Sequence, residues 1–231
     1  MLVLVSISIR CHTIYMLASD KQRQALVNLF RTGTKLTYRK GEFIIRHGET
    51  PQGVFYIEKG RVKAYDITKY GEENLLIIRK SREIFPLIWA ITGQERNVIY
   101  ETLTPTTVWR LDPEKYLSYL YEHTFVLPPL LDMAIEMYRI HSERIINLEY
   151  RSARERLASF LLTMSKRFGS KKSGEVIIDV PLRHQDIASS INMSRETASR
   201  EMSALERKGL IQTKNSIITI KDPAKLKAII E

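Results

Sequence analysis

HQDIASSINMSRETASREMSALERKG, residues 184–209, holds two short amphipathic segments separated by a turn. Ile187, Ala188 and Ile191 share one side of the first segment, and Asn192-Met193 turns the chain. Ser194 then offers the hydroxyl of an N-cap to a second helix, which runs to about Lys208 and stops at Gly209. At ~100° per residue, Arg195, Ser199, Ser203, Glu196 and Arg200 fall within about 140° of one another, while Leu205, Ala198 and Met202 cluster on the other side. One side is therefore expected to be buried and the other to present arginine, glutamate and serine. A solvated surface helix has a similar division, but usually carries Lys–Glu pairs rather than Arg and Ser in its first turns. Arginine grips guanine O6 and N7 through two bonds, glutamate accepts from cytosine N4, and a helix N-terminus favours phosphate. The pattern predicts a helix-turn-helix whose second helix enters the major groove.

Downstream, Leu210 to Ile220 reads as two short strands around Lys214-Asn215, a wing whose lysine reaches a nucleic-acid backbone. Upstream lie a strand at Val176–Val180, a loop at Gly169–Gly174, and an amphipathic helix at Arg154–Phe168 with Leu157, Phe160, Leu161 and Met164 on its apolar face. The order strand, helix, turn, helix, wing resembles the winged helix-turn-helix of the CRP/FNR family of bacterial regulators, and Ser194 to Arg200 resembles its recognition-helix signature. That resemblance implies base reading by Arg195, Glu196 and Arg200, half-sites of the TGTGA type, and a phosphate contact from Gln185. Ser199 is added to the base-reading set, and Arg183, Gln185 and Lys214 are expected to position the backbone.

Charge follows the same division. Lys and Arg number 36 against 26 acidic residues, a formal net charge of +10, and residues 151–231 alone carry 16 basic and 9 acidic side chains. A basic domain favours polyanions by counterion release, nucleic acid and anionic membrane being the usual ones, with a merely solvated surface as the plain alternative. No apolar run reaches the ~18 residues of a membrane-crossing helix. The single cysteine, Cys11, excludes a disulfide framework, a multi-cysteine zinc site and an all-cysteine iron–sulfur site within one chain, and fits a reducing, cytoplasmic compartment. MLVLVSISI at the N-terminus lacks the basic region and cleavage site of a secretory signal. From Met16 the chain looks like a helix start at Ser19 and Asp20, which leaves the first 15 residues as either an upstream start-site extension or an extra strand.

Between Leu36 and Leu111 the chain shows short β-type segments at Phe43–Ile45, Val54–Glu58, Arg61–Ile67, Asn74–Arg79 and Thr106–Leu111, punctuated by glycine, which implies a barrel or sandwich. Glu58-Lys59-Gly60 reads as the turn of a hairpin. Arg46-His47-Gly48-Glu49 through Gly53 to Val62 resembles the β-roll of cyclic-nucleotide-binding domains, again of the CRP/FNR family, over about residues 35–111. In that family a Gly-Glu-Leu segment, followed by Arg-Ser or Arg-Thr, cradles the nucleotide phosphate and ribose. Here Pro86 and Leu87 occupy the Gly and Glu places, while Arg96-Asn97 stands at the second position. Proline has no N–H to give and leucine accepts nothing, so family-type cyclic AMP binding is expected to be lost or severely weakened, and no cofactor is assigned. Phe85, Leu87, Arg96 and Asn97 are candidates for the pocket of a different ligand. The plainer readings are that Phe85–Trp89 closes the roll as core, and that Arg96 pairs with Glu95 or Glu101. His47, His123 and His141 leave haem ligation formally open, though isolated histidines more often serve surface or core.

Pro128-Pro129 can open a helix, and no proline interrupts until Pro181. Leu131, Ala134, Tyr138, His141, Ile145 and Leu148 alternate at spacings of three and four, the seam of a two-stranded coiled coil, and Leu130, Met133, Met137 and Ile140 form a neighbouring stripe. One stripe is assigned to the roll and the other to the same helix of a second subunit, giving a parallel homodimer in which His141 faces its symmetry mate. A single buried helix of a monomer is the alternative.

The expected fold is α+β: a β-roll at 16–126, a dimerisation helix at 127–150 and a winged helix-turn-helix at 151–231. The expected function is a homodimeric, sequence-specific regulator of transcription on double-stranded DNA with two-fold-related half-sites, with RNA polymerase as a further partner and no membrane. The alternatives are a ligand-binding regulatory module acting through a partner protein, or a cyclic-nucleotide- or haem-responsive regulator. An enzyme has no support, since the chain lacks a Gly-x-Ser-x-Gly elbow, a His-Glu-x-x-His pair and a phosphate-binding loop, and no metal site is assigned.

Overall fold

The structure, a computed structural model, describes residues 17–231, and both readings of the first 15 residues lie outside them. Ser19 and Gln22 form a capping box that starts α1 (Asp20–Phe30). The chain then runs through β1 (Thr34–Tyr38), β2 (Phe43–Ile45), β3 (Val54–Lys59), β4 (Arg61–Ile67), β5 (Glu73–Lys80), β6 (Ile84–Phe85), α2 (Leu87–Thr92), β7 (Ile99–Thr102), β8 (Thr106–Leu111) and α3 (Pro113–Glu122). These strands form two antiparallel sheets, ordered β1-β8-β3-β6 and β2-β7-β4-β5. Phe55, Ile57, Val62, Phe85, Tyr100 and Val108 fill the space between them, so the N-terminal part is the expected roll.

The expected hairpin at Glu58-Lys59-Gly60 is not one. β3 and β4 lie in different sheets, and Gly60, at φ 109°, carries the chain from one to the other. A Cβ at Gly60 would come within 2.3 Å of Thr106 Oγ1, so the crossing needs glycine for space as well as for φ. Val54–Ile57 is buried on both faces, so β3 lacks the one-sided alternation of a half-exposed hairpin strand. The hairpin is β4–β5, in register from Arg61 opposite Lys80 to Ile67 opposite Glu73. β1, β6 and β7 also went unread: β1 is largely polar and exposed, and β6 has only two residues.

α4 (Leu127–Tyr150) lays Met137 and Ile140 on the roll core, and Leu130 and Met133 on the cluster built by Phe30, Tyr116 and Leu120. That is the stripe expected to meet the roll. Helical geometry then lapses only at Arg151 (φ −107°, ψ 141°) and Ser152 (φ −63°, ψ 164°), before a second capping box, Ser152 with Glu155, starts α5 (Ala153–Phe168).

The C-terminal part contains β9 (Gly169–Lys172), β10 (Glu175–Ile178), α6 (His184–Ser190), α7 (Arg195–Arg207), β11 (Ile211–Lys214), β12 (Ile217–Ile220) and α8 (Pro223–Lys227). Its sheet is ordered β11-β12-β10-β9. Gly169–Lys172, expected as loop, is instead a fully exposed edge strand paired with β10. Glycine, serine and lysine give no apolar alternation to detect; the strand forms because β10 has backbone groups to satisfy on that side. Leu157, Leu161 and Met164 of α5 pack with Ile187, Met202, Leu205, Ile218 and Ile220, and this core is continuous with Tyr65, Leu75, Ile78, Ile99 and Leu103 of the roll. Among the described residues, no helix is long and apolar enough to cross a membrane.

Leu161 is fully buried at the centre of the C-terminal core. Leu161→Ala is expected to lower stability by about 2–5 kcal/mol, read as a lower midpoint in urea denaturation.

Candidate nucleic-acid interface

The turn between α6 and α7 is held from several sides. Met193 N–H donates to Ala188 O, Asn192 adopts φ 49°, and Arg156 Nη1 of α5 donates to Asn192 O at 3.2 Å. Ser194 caps α7 as expected, its Oγ accepting from Thr197 N–H at 3.1 Å, and Gly209 follows the helix at φ 68°. Inward, Ala198, Met202 and Leu205 are buried. Outward, Arg195, Glu196, Ser199, Arg200 and Ser203 line one shallow open concavity. Arg195, Glu196 and Arg200 are exposed, whereas Ser199 and Ser203 are half-buried between them.

These side chains are largely uncommitted within the chain. Arg195 has no ion-pair partner among the described residues, and Arg200 Nε lies 3.8 Å from Glu201 Oε1 with its side chain 69% exposed. Glu201 is occupied by Arg154, at 2.9 Å, which ties α7 to the start of α5. Glu196 is held below the ordinary carboxylate range, first by the backbone N–H at the helix start, then by Ser194, with Arg195 adding to both. It is thus ionised and acceptor-only at neutral pH, as a partner for an amino group must be.

Of the residues expected to position a backbone, Gln185 and Lys214 are exposed, at the start of α6 and at the wing. The wing turn is Asn215-Ser216, at φ 51° and 63°, one residue later than expected, because Lys214 pairs with Ile217. Arg183 is partly engaged: its Nε and Nη2 donate to Asp186 at 3.1 and 3.2 Å, which holds the guanidinium firmly charged. Asp186, 2% exposed, also accepts from Arg183 N–H and so anchors the first turn of α6. Asp186 and Arg156 were missed as supports of the motif; an aspartate three residues after Arg183, the spacing of a capping box, was the available signal for the first, and Arg156, 36 residues from Asn192, had none.

On the roll, α4, α2 and the second sheet border a narrow cleft with room for about 60 Å³. Leu87 and Arg96 line it, but Phe85 does not: its ring is fully buried, stacked between Phe55 (5.3 Å) and Tyr100 (4.6 Å). That is the core alternative. Asn97 is exposed and outside the lining, and Arg96 forms no ion pair with Glu95 or Glu101 among the described residues. Of the expected seam, Leu131, Ala134, Tyr138, Ile145 and Leu148 are exposed, Tyr138 by 75% and Ile145 by 62%. Ile135, 52% exposed, joins them although the spacing rule passed over it. His141 departs from the row: it is half-buried and faces the cleft beside Met137. Its pKa is lowered by burial, then by Arg144, Arg79, Arg96 and Arg167. His47 is exposed, and His123 stacks on Tyr119 at 4.2 Å.

Residues 155–229 match the family model for the Crp-like helix-turn-helix domain, and residues 35–123 match that for the cyclic nucleotide-binding domain. The chain is 28% identical over 214 residues to the "Global nitrogen regulator" of Nostoc sp., covering 89% of this chain and 96% of that protein. It is 25% identical over 209 residues to the "Transcriptional activator protein FnrA" of Stutzerimonas stutzeri, covering 89% and 83%. The solved structure of a CooA mutant from Carboxydothermus hydrogenoformans superposes with TM-score 0.75 at 20% identity, covering 94% of this chain and 99% of that one.

Asp186→Ala would leave Arg183 N–H and part of its guanidinium without their acceptor. A loss of about 1–3 kcal/mol in stability is expected, measured by chemical denaturation monitored by circular dichroism.

Proposed function

The chain belongs to the CRP/FNR family of transcription regulators, and from that premise we propose that it acts as a homodimer on two-fold-related half-sites of the TGTGA type. One observation carries the reading: α7 buries Ala198, Met202 and Leu205 while Arg195, Glu196 and Arg200 stand together on the open side. Arg195 and Arg200 read guanine, Glu196 accepts from cytosine N4, and Ser199 supplies a short hydroxyl between them. Gln185, the free end of Arg183 and Lys214 fix the register on phosphates. Residues 16–126 serve as the effector roll, 127–150 as the dimerisation helix and 151–231 as the DNA-binding part. The seam is Leu131, Ala134, Ile135, Tyr138, Ile145 and Leu148 against its copy, since a row of exposed apolar side chains on one helix face calls for a partner. RNA polymerase is the further partner of such a regulator. Family-type cyclic AMP control is absent from this reading, because Pro86 has no N–H and Leu87 no acceptor where the ligand contacts belong.

Selection of bound sites from random duplexes is expected to return two-fold-related half-sites; recovery of unrelated sequences would remove the assignment. Arg195→Ala should cost about 1–3 kcal/mol of specific affinity and relax one base position, whereas Lys214→Ala should weaken all sequences alike and flatten the salt dependence. The double variant Tyr138→Asp, Ile145→Asp should sediment as a folded monomer with specific binding lost, checked by sedimentation velocity and gel shift.

A further inference from the structure

Arg154 stands where its own helix does not favour it. It is the second residue of α5, and a cation in the first turn opposes the positive end of the helix macrodipole. Its guanidinium crosses to α7 instead, where Nε donates to Glu201 Oε2 at 2.9 Å. The Glu201 side chain is 13% exposed, and its other oxygen, Oε1, lies 3.8 Å from Nε of the neighbouring Arg200. Two arginines thus share one largely buried carboxylate unequally. Arg154 holds a full hydrogen bond, whereas Arg200 is outside hydrogen-bond reach and its side chain stays 69% exposed. Among the described residues, Glu201 accepts from no side chain other than Arg154, and Arg200 has no ion-pair partner other than Glu201.

A carboxylate withdrawn this far from water demands a cation, and removing its partner costs more than the pair contributes. Without Arg154, Arg200 is the cation next in reach of Glu201. An approach of about 1 Å would turn that loose contact into a hydrogen bond. The guanidinium would then be drawn to the flank of α7 that meets α5, away from the concavity it shares with Arg195, Glu196, Ser199 and Ser203. A two-bond grip on guanine needs the arginine fork free and aimed outward, so a captured Arg200 loses it.

We infer that Arg154 is a positioning residue for base reading: by occupying Glu201 it keeps Arg200 off that carboxylate and free for a base edge. The ion pair between α5 and α7 is then a guard on specificity as well as a tie between helices. The effect on DNA rests on the reading of α7 as the recognition helix; the competition for Glu201 stands on the three side chains alone.

The test uses the full chain and compares Arg154→Ala, Arg154→Lys and the double variant Arg154→Ala, Glu201→Gln, each checked for folding by circular dichroism; Arg154→Gln covers the case in which the alanine variant fails to fold. Heteronuclear NMR of arginine Nε–Hε groups, with the Arg200 signal assigned by its loss in Arg200→Lys, reads the competition without DNA. In Arg154→Ala, exchange of the Arg200 Nε–Hε proton with water should slow at least threefold, and it should return to the native rate in the double variant. Unchanged exchange in the folded Arg154→Ala chain would overturn the capture. Gel shift then uses a duplex selected by the native chain and its single-base variants. Arg154→Ala should lose at least threefold in affinity for the selected duplex, with discrimination falling mainly at the base position that Arg200→Ala also relaxes. The double variant, and Arg154→Lys, which keeps a donor for Glu201, should regain that discrimination. A uniform loss over all duplexes with a shallower salt dependence would make Arg154 a backbone contact, and a loss that the double variant does not regain would make it a support of the fold; either overturns the role. Failure of the native chain to select any duplex would remove the DNA-binding reading, and the exchange measurement would still decide which arginine Glu201 takes.

Discussion

Burial of Ala198, Met202 and Leu205 sets how α7 is rolled about its own axis, and every proposed base contact depends on that setting. Met202 and Leu205 share a cluster with Leu157, Leu161 and Ile187, each large apolar side chain contributing about 1.5–3 kcal/mol by leaving water. Rolling the helix by one residue position, ~100°, would exchange that gain for charged groups turned inward, where an unpaired carboxylate or guanidinium is far costlier. Two opposing penalties therefore hold one face outward without any contact on that face. Arg195 and Arg200 are left largely unpaired for an external acceptor, while Arg154 and Arg156, on the first turn of α5, are spent on Glu201 and on the α6–α7 turn.

Local chemistry was legible in the sequence wherever a short rule governed it. Ser194, Gly209 and the apolar side of α7 follow from capping and helical period, and so does the stripe from Leu130 to Ile140. The errors fall where a distant element decides the outcome. Gly60 looks like a hairpin glycine because its neighbours are strands, but the choice of sheet is made by β8 pairing with β3 and by β7 pairing with β4. β9 has no pattern of its own and exists because β10 is there. His141 satisfies the three-four spacing of the seam, yet the roll approaches α4 closely enough to take it. Phe85 sits in a segment whose place in the family suggested ligand contact, and its ring was claimed by Phe55 and Tyr100. The contact between Glu83 and Arg167, 84 residues apart, has no local signature at all.

Contacts between the roll and the C-terminal part combine a continuous apolar core with a few strong polar fasteners. Tyr65, Leu75 and Ile78 join the cluster of α5 and α6, and beside it lie the buried pair of Arg167 with Glu83 and, at the surface, Arg61 with Asp179 at 3.0 Å. A buried ion pair adds little net stability once desolvation is counted, but it is directional, so its value lies in fixing geometry. Lys63, 1% exposed between Glu73 and Glu101, performs the same service within the second sheet.

Arg151 and Ser152 are the only residues outside helical geometry between α4 and α5, which makes them an elbow between two rods. The second rod is ~24 Å long at 1.5 Å per residue, so a bend of about 10° at the elbow sweeps its far end through about 4 Å. The swept end is the one that carries Arg167 against Ile78 O and Glu83 of the roll, whereas α7 is tied near the elbow through Arg154 and Glu201. With so short an elbow, the grip of Arg167 on the roll acts as a brake on the angle between the two rods.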